Sequence, residues 1–351
     1  MFIMIEDERL TEFNSLKIDE LIAEKPLESR DSSKLIIIDR RLQTIEHKIF
    51  SDIINYFNKG DCLVLNESKV VKNKILYFEN NVLKGDILLI KPLDGYKKWI
   101  AISKRIKRNG NYYLNGGALI TEIEKKGDYY FFTFDRDIDY NYIDMYGEVP
   151  LPPYIIRKRK EKGIPQITSQ DEEKYQTVYA NTEGSIAAPT AGFHFTNNLL
   201  KEIENKGVKI VKVLLHISHG TFKMVRGDPS NFIMPGEWCR VSEESAGAIN
   251  NIKKNGGRIF AVGTSSIRTL EKMSDENGCM ISGEGESDIF IKPEYKFKVV
   301  DCFITNLHVP DSPPLYMASA FAGRELLFKA YKEAVEKKYR FYSYGDSMLI
   351  L

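Results

Sequence analysis

Downstream of Pro150 the chain alternates apolar strands with capped helices, whereas from about Asp61 to Tyr142 short strands follow one another without a helix. Two such rhythms cannot share one regular layer, so the first constrains the second to a separate piece of structure. In the alternating part, Thr196 is placed to cap TNNLLKEIENKG, which Gly207 stops. The apolar run VKIVKVLLH (208–216) follows as a strand. Ser242, with Glu243 and Glu244 in the first turn, opens a second helix that Gly256-Gly257 ends. The strand RIFAV (258–262) then leads through Gly263-Thr264-Ser265-Ser266 into a helix that runs through Leu270. DIFI (288–291) and VVDCFIT (299–305) read as two more strands before a helical C-terminal region. Alternation of this kind predicts a layered, largely parallel α/β domain.

The closely spaced strands are CLVLN, KILYF, GDILLIKP, KWIAIS, YYLNGGALITEIE and DYYFFTF, with Asn, Gly, Asp and Lys turns between them. They predict a small β-barrel or sandwich. Ahead of them, IEHKIFSDIINYFNKG carries helical spacing, with Ile49, Ile53 and Phe57 on one face and Gly60 as its stop. The domain reading is therefore a discontinuous α/β domain, residues 1–60 and 150–351, interrupted by an inserted small β-barrel domain at 61–149.

Balanced charge, 50 Lys and Arg against 49 Asp and Glu, gives no global field toward nucleic acid, so local patches would have to hold such a partner. Cys62, Cys239, Cys279 and Cys302 are far apart and form no CxxC pair, which fits a reducing cytoplasm better than a zinc knuckle or disulfide framework. With no signal peptide and no apolar run of membrane-spanning length, the expectation is a soluble cytoplasmic protein without a membrane partner.

Chemistry-bearing residues concentrate in YQTVYANTEGSIAAPTAGFHFT (175–196). Tyr175, Gln176, Thr177, Tyr179, Thr190, His194 and Thr196 surround a small-residue core in which Pro189 fixes the chain and Gly192 permits unusual dihedrals. A polar loop opening onto a helix N-terminus suits an anion or polar small molecule. His216 ends an apolar strand and runs into ISHGTF, where Gly220 and Thr221 follow. Ligands of α/β sheets sit at the carboxyl ends of strands, although a histidine bonded to backbone explains that position too. His308, in TNLHVP beside Asn306, is open to the same two explanations, while His47 reads as structural. In Gly263-Thr264-Ser265-Ser266-Ile267-Arg268, backbone N–H groups and hydroxyls converge at a helix start, with Arg268 one turn in. Plain helix capping by Thr264 or Ser265 competes with that reading. Two basic runs, Lys104-Arg105-Ile106-Lys107-Arg108 and Arg157-Lys158-Arg159-Lys160, are candidate RNA contacts, the second beside Tyr154. The terminal YRFYSYGDSMLIL holds Asp346 after a glycine, as turn chemistry or as a site residue. No HExxH spacing suggests a metal, and no GxSxG elbow suggests a hydrolase.

Taken in order, LIAEKPLESRDSSKLIIID, GDCLVLNESKV, LPPYIIR, YQTVYA, APTAGFHFT, HGTF, GGRIFAVGTSSIRTLE, SDIFIKPEYKFKVVDCFITNLHVP, SAFAG and YRFYSYGDSMLI are spread along nearly the whole chain. Together they resemble the S-adenosylmethionine:tRNA ribosyltransferase-isomerase family of queuosine biosynthesis. The resemblance implies transfer of the ribosyl part of S-adenosylmethionine onto 7-aminomethyl-7-deazaguanine at the tRNA wobble position. Rearrangement then gives epoxyqueuosine, with adenine and methionine leaving. It implies S-adenosylmethionine as co-substrate, no permanently bound cofactor or metal, tRNA as partner, and a monomer. His194 and His216 become candidates for acid/base work. Tyr175, Gln176, Thr177, Thr190, Gly192, Gly220, Thr221, Phe222, Glu237, Gly263, Thr264, Arg268, Asn306, His308 and Asp346 become candidates for binding substrate. Lys104, Arg105, Arg157, Lys158 and Arg159 become candidates for binding RNA. The chain departs from the family pattern at Phe232-Ile233-Met234-Pro235-Gly236-Glu237, where two expected histidines are missing and Met234 and Glu237 survive. It departs again at Asn66–Ile75, which lacks the expected proline and arginines.

Overall fold

The computed structural model describes residues 9–218, 220 and 223–351. Its framework is a nine-stranded sheet in the order Gly283–Ser287, Glu237–Val241, Lys209–Leu215, Cys62–Asn66, Ile259–Val262, Cys302–Asn306, Ser347–Ile350, Lys34–Asp39, Thr44–Ile49. The four strands from Lys209–Leu215 to Cys302–Asn306 are mutually parallel, and every residue of Cys62–Asn66 is buried among them. The helix Asn197–Asn205 precedes the first of these strands; Glu243–Lys254 and Gly263–Lys272 flank Ile259–Val262. As expected, the side-chain oxygens of Thr196 and Ser242 accept from the Leu199 and Ser245 N–H groups.

The sheet is mixed, not largely parallel. Glu237–Val241 and Gly283–Ser287 pair antiparallel on one flank, and Ser347–Ile350 runs antiparallel to Cys302–Asn306 on the other. Segment 216–236, which leads into Glu237–Val241, forms no α-helix among its described residues, and that strand returns antiparallel. The helical reading of IEHKIFSDIINYFNKG is corrected as well. Thr44–Ile49 is a strand paired antiparallel with Lys34–Asp39, and only Phe50–Tyr56 winds, as a short 3₁₀ turn. Ladder bonds to the buried run Leu35–Ile38 outweigh a helix whose first apolar position, Ile49, is 43% exposed. DIFI forms no strand: Phe290 packs on Phe232 and Tyr316 instead. In VVDCFIT the strand begins only at Cys302, because the Val299 and Val300 N–H groups donate to the Glu271 carboxylate.

Period-two alternation divides the sheet's side chains between two cores. Ile36, Ile38, Val64 and Phe303 join the cluster that includes Pro313–Ala322 and Arg324–Glu336 residues such as Leu315 and Leu327. Leu35, Ile37, Leu63, Leu65 and Ile304 face Phe57, Phe195, Leu199 and Ile203 on the other side. Each such fully buried aliphatic or aromatic side chain stabilises the fold by roughly 1.5–3 kcal/mol.

A six-stranded antiparallel sheet has the order Tyr113–Leu114, Lys74–Glu79, Val82–Asp94, Lys98–Ile102, Tyr129–Phe134, Ile120–Lys126. It encloses its own core of Ile75, Tyr77, Ile87, Leu89, Trp99 and Phe132. Its two edges meet where the Ile120 N–H donates to the Tyr112 carbonyl at 2.9 Å and Leu114 to Ala118 at 2.8 Å. CLVLN, expected with these strands, is instead the central strand of the large sheet; its fully apolar run suits burial on both faces. A short parallel pair, Ser68–Val70 with Thr182–Ser185, lies beyond the end of that central strand.

Candidate functional site

The carboxyl ends of the parallel strands open onto a cleft of about 530 Å³. Asn66, the last residue of the central strand, sets the geometry there. Its Nδ2 donates to the Leu215 carbonyl and Ser265 Oγ, both at 3.0 Å. Its Oδ1 accepts from the Leu215 and Ser68 N–H groups, both at 3.1 Å. The adjacent strand ends at Val262, and Gly263 takes φ of +80°, a turn that favours glycine, before the helix begins. Gly263, Thr264 and Ser265 therefore line the cleft together with Ile217 and the loop 187–191.

Asn306 ends the fourth parallel strand and links cleft to interior. Thr190 Oγ1 donates to Asn306 Oδ1 at 3.0 Å, and Asn306 Nδ2 donates to His194 Nε2 at 3.1 Å. This places the His194 proton on Nδ1, which donates to Ser33 Oγ at 2.7 Å. Burial, reinforced by Arg340 and Arg30, pushes the His194 pKa down to about 3. Both ring nitrogens are engaged and the ring packs on Phe50, so His194 backs the wall of the cleft without lining it. Next to Asn306, Thr305 Oγ1 lies 2.7 Å from His308 Nε2, and the His308 N–H donates to Tyr331 Oη at 2.7 Å. His308 lines the cleft, and burial pushes its pKa down to about 3.

Part of the cleft lining is aromatic. Tyr154 meets Tyr342 edge-on at 4.8 Å and shares its hydroxyl with Ser343 Oγ. Tyr175 is fully buried, and its hydroxyl has no hydrogen-bond partner among the described residues. An unpartnered buried hydroxyl costs about 1–3 kcal/mol, which a polar ligand atom in the cleft would recover. Asp19 also lines the cleft with Arg157, whose Nη2 donates to it at 2.8 Å.

Other residues singled out in the sequence lie outside the cleft. His216 Nδ1 is 2.9 Å from Ser68 Oγ and its ring stacks on Trp238; burial, then Arg240, pushes its pKa down to about 4. A Cβ on Gly184 would lie 2.7 Å from that ring, so glycine is what lets His216 pack there. Gln176 clamps Val70 through both its N–H and carbonyl, and Thr177 is buried. Gly192 leaves room for Tyr179, whose Oη would lie 2.0 Å from an added Cβ. Glu237 and Arg268 form a buried ion pair; Glu237 also accepts from the Ser218 N–H at 2.6 Å, and Arg268 donates to the Ser287 carbonyl. This pair fixes the loop after Lys209–Leu215, and the guanidinium does not reach into the cleft. Asp346 accepts from the Lys34 and Arg340 N–H groups, and burial raises its pKa. Gly220 packs under Pro235, while Thr221 and Phe222 lie outside the described residues.

The basic runs also separate by environment. Lys104 and Arg105 are exposed, and Arg157 is 54% exposed at the cleft rim. Lys158 pairs with Asp19 and Glu161. Arg159 is buried in a bidentate pair with Asp171, at 2.6 and 2.7 Å, and has no surface to offer a phosphate. The sequence carries no signal for Asp19, Thr305, Tyr342 or Ser343, which are ordinary loop or strand residues until the fold gathers them. Asn66 ending a wholly apolar strand is the one readable sign. Among the described residues no group of three or more His, Cys, Asp or Glu side chains could hold a metal.

Residues 11–350 match the model of the family described as queuosine biosynthesis protein. The chain belongs to that family. It is 46% identical over 341 residues to the S-adenosylmethionine:tRNA ribosyltransferase-isomerase of Caldanaerobacter subterraneus subsp. tengcongensis, covering 95% of this chain and 97% of the relative. The enzyme of that name from Acetivibrio thermocellus is 44% identical over 340 residues, covering 94% and 96%. The crystal structure of S-adenosylmethionine tRNA ribosyltransferase from Thermotoga maritima aligns with a TM-score of 0.54 at 30% identity, covering 96% of this chain and 98% of that one. In this queuosine biosynthesis family member, the segments 187–191, 263–265 and 305–308 thus converge on a single cleft.

Proposed function

We propose that this chain is an S-adenosylmethionine:tRNA ribosyltransferase-isomerase. It transfers and isomerises the ribosyl part of S-adenosylmethionine onto 7-aminomethyl-7-deazaguanine at the wobble position of tRNA, releasing adenine and methionine. The observation that carries this reading is the 530 Å³ cleft, lined by hydroxyl, amide and imidazole groups together with tyrosines. That volume lies within the range for small-molecule sites. Near-full-length identity to enzymes of that name supports it.

The sulfonium of the co-substrate acidifies its neighbouring C–H bonds and is a good leaving group. The protein's task is then to orient, to exclude water and to move protons. Thr190, Thr264, Ser265 and Asn306 are suited to the polar ribosyl and methionyl groups. Tyr154, Tyr175 and Tyr342 suit a cation or a base, and His194 and Gln176 position what touches substrate. Arg157 at the rim, with Lys104 and Arg105 on the smaller sheet, is suited to tRNA phosphates. We read that sheet as a small barrel inserted into a discontinuous α/β domain, starting after Cys62–Asn66, and the protein as a cytoplasmic monomer.

The test is chromatographic. Incubation with S-adenosylmethionine and tRNA bearing the aminomethyl base should release adenine and methionine in equal amounts. Tight tRNA binding with no adenine released from any acceptor would refute the enzymatic reading. Release with the free base alone would reassign the acceptor.

A further inference from the structure

The geometry points to His308 as the residue that accepts the proton from the carbon beside the sulfonium, an assignment that rests on the transferase reading above. Of the histidines described, only His308 lines the cleft. His194 has both nitrogens engaged, His216 lies behind Gly184, and His47 is held by Tyr339 and Glu333 elsewhere. The His308 ring is held through Nε2 by Thr305 Oγ1, and its backbone N–H donates to Tyr331 Oη, which anchors the main chain beneath it. Nδ1 has no hydrogen-bond partner among the described residues. In the tautomer that donates Nε2–H to Thr305 Oγ1, Nδ1 carries the free lone pair, and this is the form we assign to the base.

The other titratable groups lining the cleft are worse acceptors. Tyr154, Tyr175 and Tyr342 are phenols whose pKa values burial raises, so all three stay protonated. Burial raises the Asp19 pKa, but Lys158 and Arg157 together outweigh that effect and hold its carboxyl below the usual range. Arg157 carries no lone pair to offer. Desolvation lowers the basicity of His308, yet the bound co-substrate already brings one positive charge. In the transfer a C–H bond breaks and an Nδ1–H bond forms, while the electron pair stays on carbon beside sulfur. The cleft holds one positive charge before and after, so the cost of burying an imidazolium is offset by neutralising the sulfonium as an ylide.

The test compares wild type, His308→Gln, Thr305→Val and Thr305→Ser on S-adenosylmethionine and aminomethyl-modified tRNA. Readouts are adenine release, co-substrate Kd by calorimetry, and uptake of solvent deuterium at the carbons next to sulfur. His308→Gln should bind co-substrate within about threefold of wild type. Its kcat should fall by roughly 10²–10⁴, the usual contribution of a general base, and its deuterium uptake should vanish. Thr305→Val, which keeps the ring and loosens it, should lower kcat about tenfold, and Thr305→Ser should restore it. Near-wild-type kcat or retained deuterium uptake in His308→Gln overturns the assignment while leaving the transferase reading intact. If His308→Gln does not fold, an unimpaired Thr305→Val overturns it. No adenine release by wild type fells both readings together.

Discussion

Arg159 reads from sequence as an RNA contact, and the structure makes it the core of a buried ion pair; replacing it separates the two roles. Its guanidinium is 2% exposed and donates to both oxygens of Asp171, which is 1% exposed. It also donates to the Glu24 and Gln166 carbonyls. Arg159→Gln removes the countercharge and leaves Asp171 with the Thr168 N–H and hydroxyl and the Tyr344 hydroxyl. Breaking a buried pair from one side costs about 3–5 kcal/mol. At about 2.1 cal/mol/K per residue, the 351-residue chain should then melt ~4–7 °C lower. The sign of the pH dependence follows from Asp171. Burial raises its pKa, but Arg159 and the Thr168 donors outweigh that effect and hold it below its ordinary 3.8. A depressed carboxylate contributes stability above its unfolded pKa and loses it as pH falls through the folded value. The gap between wild type and variant should therefore be full at neutral pH and close progressively below about pH 4. Calorimetric melts at several pH values measure this, beside tRNA titrations at two salt concentrations. Arg159→Gln/Asp171→Asn should be less damaged than the sum of its single variants. An unchanged melting temperature, with weaker tRNA binding and a shallower salt slope, would refute the structural assignment.

Three further outcomes follow from the same contacts. His194→Ala removes the acceptor of Asn306 and should raise the KM for S-adenosylmethionine about tenfold with kcat within a few fold, since Thr190 loses its orientation. Because the folded ring stays neutral down to about pH 3, the fold loses stability as pH falls from about 6.5; the variant should lose up to one proton of that slope, and an identical slope counts against a buried neutral ring. Gly192→Ala places a Cβ 2.0 Å from Tyr179 Oη and 2.7 Å from Thr177 Cγ2, so it should destabilise by about 1–3 kcal/mol. Adding Tyr179→Phe should recover part of that in thermal melts; no recovery would mean the clash lies elsewhere. Lys104→Glu with Arg105→Glu should weaken tRNA binding and reduce the log–log salt slope by about 1–2, leaving the co-substrate Kd unchanged; an unaltered slope removes this loop from the RNA surface.

What can be read in the sequence is local. Thr196 and Ser242 cap helices through bonds that span three residues, and Gly263 marks a turn that its own backbone requires. The strands of a central sheet and its carboxyl-end cleft follow from the same periodicity. Pairing partners are less legible. Ile49, Ile53 and Phe57 satisfy a helical template, yet Thr44–Ile49 finds a better partner in Lys34–Asp39 across a short turn. Nor can spacing reveal burial: Arg157 and Arg159 are two residues apart on one helix, and one faces the cleft rim while the other faces Asp171.

The histidines show how far chemistry-first reading reaches. His194 draws attention because its neighbours are small and polar, and those neighbours do line the cleft. The imidazole itself stands behind Asn306, spending both nitrogens on Ser33 and Asn306. Asn66 and Asn306 explain why amides stand at the strand ends of this site. An amide offers donors and an acceptor together, so it can replace the lost ladder bonds of a terminating strand and still hold a hydroxyl. Asn66 bonds both the N–H and the carbonyl of Leu215 and holds the Ser265 hydroxyl; Asn306 holds that of Thr190. A carboxylate at either place could accept but not donate, and would face the Leu215 carbonyl or the His194 lone pair without a proton between them. The neutral, pre-aligned wall that results suits a cationic co-substrate better than a charged one would, because it fixes polar groups without neutralising the sulfonium whose charge drives the reaction.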